Sequence, residues 1–340
     1  MDGKCDMEHR RFSRRTFLAG ASAVGAGALL SFPRVASAEP RPETTKLRLQ
    51  EAQFSCIAPQ YAAQELLYSE GFTEVQYIKT NRPGAELLTE GEVDINLSFI
   101  PSAVTHLDAG GPVVVLAGSH IGCVELVASN QIRSTPDLKG KTIGVWRLRG
   151  GSDRAFISMF VAHVGLDPEK DINWVSHPGT DLSRLFVEGK IDAFMSISPF
   201  SQELRARKIG RVLVDLTTDK PWSQYFCCMV ASTKEFVRKH PVATKRALRA
   251  IVKAADVCAA EPERIARLIE ARGPSNYDYV LQMLKEIPYG KWREYDAEDA
   301  VRFYALRMRD VGMISSTPAQ IIGRGTDWRF INELKKELKA

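Results

Sequence analysis

The sequence predicts an α/β protein in which two similarly wound lobes are joined by two crossing strands and followed by a helical C-terminal region. Three observations predict it. Short β-like runs alternate with helical patterns from Thr45 onward, as in a mainly parallel sheet covered by helices. The alternation restarts near Thr142, and one signature occurs twice: Glu90-Gly91-Glu92-Val93-Asp94, then Glu188-Gly189-Lys190-Ile191-Asp192. Two further stretches, Gly122–Ala128 and Phe226–Ala231, flank the second α/β unit on both sides, as strands crossing between lobes would.

In chain order, LRLQEAQ (47–53) alternates and reads as a strand. PQYAAQELLYSEG (59–71) has helical periodicity and stops at Gly71. VQYIKT (75–80) is a strand, PGAELLTEG (83–91) a short helix, and VDINLSF (93–99) and VVVLAGS (113–119) are strands. The second unit follows with strand TIGVWR (142–147), helix SDRAFISMFVAHVG (152–165), strand INWVSH (172–177), helix SRLFVEG (183–189) and strands IDAFMSI (191–197) and VLVDL (212–216). Each repeated signature is a helix end, a glycine stop and a strand opening, and each strand runs on to Ser and Pro. Ligands of open α/β sheets bind outside such carboxyl ends, so both strands are expected to aim at a shared crevice. Beyond Tyr225 the pattern is mostly helical: 243–273 with a break at Glu261-Pro262, then 277–287, 297–312 and 327–340, where Tyr304 and Met308 read as packing residues. The expected division is 45–122 for the first part of lobe 1, 130–222 for lobe 2, and 226–340 for the return to lobe 1 with the C-terminal helices.

Residues 1–38 read as an export signal. Arg14-Arg15 precede a mildly apolar run, Thr16–Phe32, interrupted by glycines and too weak to span a bilayer. Ala36-Ser37-Ala38 supplies a small-x-small cleavage site, so cleavage is expected after Ala38. The arginine pair followed by Phe17 and Leu18 matches a twin-arginine signal, which implies the Tat export machinery as a partner and the periplasm as destination. The whole chain carries a net charge of +5; residues 1–38 hold six Lys/Arg and three acids, so the remainder is +2. That near balance excludes a nucleic-acid surface or a polybasic membrane patch. Five cysteines lie beyond residue 38 in no disulfide-scaffold or zinc spacing, and no nucleophile elbow, P-loop or dinucleotide fingerprint occurs. Adjacent Cys227 and Cys228 would point to opposite faces of a strand.

Ligand candidates follow from the loops. Ser55 and Cys56 precede a helix that begins at Pro59; Ser55 is either a ligand contact or an N-cap. Arg147 with Gly151 and Ser152 forms a candidate clamp for a carboxylate or sulfonate, while Asp153 argues against a bare inorganic anion. Phe99, Ser102 and, opposite them, Ser198 suit an organic ligand with a flat or apolar part. His177 and Tyr225 are further candidates, Tyr225 for stacking. His120, Cys123 and Glu125 suggest a metal, but strand alternation puts His120 on the opposite face from the other two, so no metal or cofactor is expected and His120 is kept as a ligand contact.

The export signal, the paired E-G-x-(V/I)-D strands, the LKGKTIGV opening of the second unit with Gly150-Gly151-Ser152 after it, and the two crossing strands together resemble the periplasmic solute-binding proteins of ABC importers, in the nitrate/sulfonate/bicarbonate and thiamine-precursor branch. The resemblance implies a type II periplasmic-binding-protein fold, a small-molecule ligand clamped by hinge closure, an inner-membrane ABC permease as partner, and a non-enzymatic monomer. Some members of the branch handle pyrimidine compounds with a cysteine-rich patch; here FCCM (226–229) offers only two adjacent cysteines, so no iron or enzymatic chemistry is carried over. The alternatives are a pyrimidine-synthesis-type enzyme and a ligand-sensing partner of a membrane receptor.

Overall fold

A computed structural model describes residues 39–52 and 54–338; the expected export signal lies outside them. Ten strands form: β1 (Lys46–Glu51), β2 (Glu74–Lys79), β3 (Ile95–Phe99), β4 (Val113–His120), β5 (Val124–Ala128), β6 (Thr142–Val145), β7 (Asn173–Ser176), β8 (Ala193–Ile197), β9 (Arg211–Asp215) and β10 (Cys228–Thr233). They assemble as β2-β1 beside β3-β10-β4, and as β7-β6-β8-β5-β9. The two orders superimpose position by position. The first pair in each is parallel, and the strand next to the outer edge, β10 or β5, runs antiparallel to both its neighbours. In each case that antiparallel strand comes from the other half of the chain. β5 follows β4 yet pairs with β8 and β9, and β10 follows β9 yet pairs with β3 and β4. These are the two crossing strands.

The repeated signature has the same physical job in both halves. Gly91 and Gly189 end their helices with φ of +72° and +69°, a left-handed conformation that a side chain would strain. Asp94 then accepts from the Arg48 amide at 2.8 Å while its own N–H donates to the Arg48 carbonyl at 2.9 Å. Asp192 does the same with Thr142, at 2.8 and 2.7 Å. Each aspartate therefore clips the entry to β3 or β8 onto the neighbouring strand, β1 or β6. Strands β4, β5, β8 and, but for Thr233, β10 are buried along their length, as expected where helices cover both sheet faces.

The long helical tract breaks as expected. Helix Pro241–Ala260 stops at Glu261, which leaves helical geometry (φ −129°), and helix Pro262–Glu270 restarts with its proline where no N–H is needed. Ala243, Ala247, Ala250 and Ala254 form a buried small-residue stripe along the first of these helices, which packs against helix Ala58–Ala62. Four helices were not foreseen: Ile100–Asp108, Phe200–Ala206, Lys234–Lys239 and Pro318–Gly325. The expected helix 59–71 is shorter and divided, into a 3₁₀ turn Ser55–Ile57 and helices Ala58–Ala62 and Gln64–Ser69. No described helix is long and apolar enough to cross a membrane.

Candidate functional site

The carboxyl ends of β1, β3, β6 and β8 lie together with the two crossings. After β1, the half-buried ring of Phe54 stacks on Trp146, which follows β6 (centroids 6.3 Å, interplanar 16°). Phe54 also meets Phe99 at 6.3 Å, and Phe99 meets Phe156 edge-on at 6.0 Å. One ion pair spans the same line: Arg147 donates to Glu86 at 2.9 Å. The two halves also meet through Arg205 on Glu286 and through Trp222 on Phe303.

The loop that carries Trp146 and Arg147 is built around Asp153. Its buried carboxylate accepts from the Trp146 amide, and a side chain at Gly151 would meet that carboxylate at 2.5 Å. Burial pushes Asp153 up to about 6 despite that bond. On the first half, buried Asn96 donates to Gln50 (2.8 Å), and Gln50 donates to the carbonyls of Thr80 and Arg82. Gly84 packs where a Cβ would strike Asn96 at 2.1 Å. Several buried polar atoms around this line have no partner: Ser98 Oγ, Ser102 Oγ, Asp153 Oδ1, Ser158 Oγ and Tyr304 OH. A buried orphan hydroxyl costs about 1–3 kcal/mol.

Below the aromatic stack, four segments bring sulfur and imidazole together. Gly122 and Cys123 both have positive φ, +79° and +72°, and this tight reversal between β4 and β5 breaks the strand alternation. It turns Cys123 inward, to 3.2 Å from Cys227 and 3.8 Å from Cys228 (Sγ to Sγ). Cys227 precedes β10, so it escapes alternation too, and its sulfur lies 3.7 Å from that of Cys228. The expectations that these two cysteines point apart and that His120 faces away from Cys123 are both corrected. Cys56, His120, Cys123 and Cys228 present ligand atoms within 4.8 Å of one another. All four are at most 2% exposed. His120 Nδ1–H donates to the Ile121 carbonyl at 3.0 Å, leaving Nε2 buried and unpartnered. Burial disfavours charge on His120, but its interaction with Cys228 beside it outweighs this and brings the ring up to about 9. Burial also opposes a thiolate at Cys227, yet contact with Cys123 holds it down to about 7. The thiols and the imidazole thus share one buried cluster. Tyr289 closes it, with its hydroxyl on the Cys56 carbonyl (2.9 Å) and its ring 5.0 Å from His120.

The remaining expected residues fall as follows. Ser55 is buried, 3.5 Å from Ser275 Oγ, and caps no helix. Ser102 is buried in helix Ile100–Asp108. Gly151 is the N-cap of helix Ser152–His163 and Ser152 its buried first residue. Ser198 accepts from Gln202 at 3.2 Å. His177 follows β7, half-buried, its amide on the Val145 carbonyl. Tyr225 is stacked face to face on Phe303 at 3.9 Å, and Trp222 is packed between Phe160, His163 and Phe303, so their rings are engaged within the protein. Phe54 lies in the loop before Pro59 that the sequence offered as a ligand candidate; Trp146 and Glu86 were not foreseen.

Comparisons with known proteins agree with this architecture. The sequence model of a family described as NMT1/THI5 like matches residues 56–265. The 4-amino-5-hydroxymethyl-2-methylpyrimidine phosphate synthase THI13 of Saccharomyces cerevisiae is 29% identical over 211 residues, 57% of this chain and 61% of that protein. A putative binding protein of Brucella abortus is 25% identical over 186 residues, 54% of this chain and 57% of that protein. The chain thus spans about 60% of the length of these curated relatives. Among solved structures, the periplasmic nitrate-binding protein NrtA from Synechocystis PCC 6803 superimposes with a TM-score of 0.75 at 16% identity, covering 88% of this chain and 90% of that one. The alkanesulfonate-binding protein SsuA from Xanthomonas axonopodis pv. citri, bound to MOPS, does so at 0.66 and 15%, covering 82% and 96%. These likenesses show a periplasmic-binding-protein fold.

Proposed function

Because this chain belongs to the NMT1/THI5-like family, we propose that it is an exported solute-binding protein that closes on a small organic ligand and delivers it to an ABC importer. The observation that carries this reading is the matching strand order of the two halves, each completed by a strand that crosses from the other, with an aromatic stack and a salt bridge meeting across the line between them. Exchanged strands leave only two chain crossings to bend, which is what hinge closure requires. The proposed lobes are 45–122 with 226–340, and 130–222. Phe54, Phe99 and Trp146 suit a flat or heteroaromatic group, and Arg147, held by Glu86 when the cleft is empty, suits an acidic one. The other expected contacts, Ser55, Ser102, Gly151, Ser152, His177 and Ser198, are proposed to line the same cleft. The twin-arginine signal and cleavage after Ala38 place it in the periplasm on this reading, with nitrate- and sulfonate-binding structural neighbours in its support.

A thermal-shift screen of carboxylates, sulfonates and pyrimidines tests it. A ligand at 100 times its Kd stabilises the fold by about 2.7 kcal/mol. Arg147→Ala is expected to abolish the shift for acidic ligands; an intact shift would remove Arg147 from the site. A second reading has its own observation. The yeast relatives are named synthases, and a thiol–imidazole cluster is reactive chemistry that a passive clamp does not need. Turnover of a pyrimidine substrate would support that reading over capture.

A further inference from the structure

We propose that Cys56, Cys123, Cys228 and His120 hold one zinc ion that ties the two strand crossings together. The ligand set is three thiols and one imidazole, a composition that closes a tetrahedral structural zinc site. The spacing fits. Zinc–sulfur bonds of about 2.3 Å in tetrahedral geometry place two sulfurs about 3.8 Å apart, and Cys123 and Cys228 are separated by 3.8 Å.

His120 provides an independent sign. A ligating imidazole donates its other ring N–H to a carbonyl or carboxylate, which fixes its tautomer. His120 Nδ1–H is so committed, to Ile121, and Nε2 is buried with no partner. Cys227 is not a ligand on this geometry. Its sulfur lies 3.2 Å from Cys123, closer than two sulfurs on one zinc, and it points to the Gly122 carbonyl.

The four ligands come from the loop after β1, the end of β4, the turn into β5 and the start of β10. One ion would therefore bind both crossings to the first half and hold the left-handed Cys123 in place. Binding displaces three thiol protons to solvent, and zinc undergoes no redox change. The site does not depend on which solute the cleft takes.

The test uses the full chain, purified reduced and freed of metal by chelation. Cobalt(II), as a spectroscopic substitute, is expected to bind one per chain with thiolate charge-transfer bands and tetrahedral ligand-field intensity, and zinc is expected to displace it. Loss of a mere supporting residue costs about 10–100-fold in affinity, so Cys123→Ser, Cys228→Ser and His120→Ala should each weaken zinc by more than about 100-fold. Cys258→Ser, a buried cysteine outside the cluster, should change nothing. Should the ligand variants fail to fold, the wild-type spectrum decides. Octahedral cobalt, substoichiometric binding by folded protein, or unchanged affinity in folded variants would each overturn the site.

Discussion

Two of the contacts between the halves can be weighed singly. Phe54 on Trp146 is one offset aromatic pair, worth about 0.5–1.5 kcal/mol beyond its buried area. Arg147–Glu86 is a partly exposed ion pair (50% and 23%), worth about 0–1 kcal/mol. Together they contribute about 1–2 kcal/mol, a factor of about 5–30 in population, beside the Arg205–Glu286 pair and the ring contacts Phe99–Phe156, Phe156–Tyr304 and Trp222–Phe303 that also join the halves. The double variant Trp146→Ala/Glu86→Gln should lose that factor and shift toward the open form. Spin labels on cysteines introduced at Tyr68 and Val187, 46% and 61% exposed and in opposite halves, would report the separation; the five described native cysteines are buried, and Cys5→Ser removes the sixth. The double variant is expected to show a longer, broader distance distribution than the parent. An acidic ligand should restore the short one, more readily in Glu86→Gln alone because Arg147 is released to it. A distribution that neither the substitutions nor any ligand changes would refute hinge closure.

Other expectations follow from single positions. A methyl at Gly118 would meet the buried Phe226 ring at 2.2 Å, so Gly118→Ala should cost about 1–3 kcal/mol by overpacking, read as a lower midpoint in urea. Asp192→Ala removes one charge-assisted bond to the Thr142 amide and should cost about 1.5–3 kcal/mol. Asp94→Ala should cost more, because it also frees Arg48; equal or negligible losses would contradict the clip role. Asp153 is held above the ordinary aspartate range by burial, so the folded state keeps its proton longer than the unfolded state. Its contribution falls as pH rises from about 4 to about 6, by about 3 kcal/mol in all. Asp153→Asn should flatten melting temperature across that window; an unchanged slope would show that other groups set it.

Period and punctuation made most of the fold legible. Glycine stops and β-branched openings located Gly91–Asp94 and Gly189–Asp192, and the proline at 262 located the helix break. Helix Ile100–Asp108 was hidden because it leaves β3 directly, with no polar linker and with Ile100 and Val104 in a strand-like run. The site was legible only in part. Arg147 and Phe54 sit on loops that helix starts announce and Phe99 at a strand end, but their partners Glu86 and Trp146 are set by how the halves meet, which no local pattern encodes. The sulfur cluster was missed for a definite reason: alternation assumes extended backbone, and the left-handed pair Gly122-Cys123 turns one cysteine inward. Two cysteine-bearing crossings were the available signal.

The central claim is capture without conversion. Protein saturated with a ligand that raises its melting temperature should, on denaturation, release one equivalent of that same compound unchanged, identified by mass and quantity. Recovery of a chemically altered product, or of no compound from the carboxylate, sulfonate and pyrimidine classes, would contradict it.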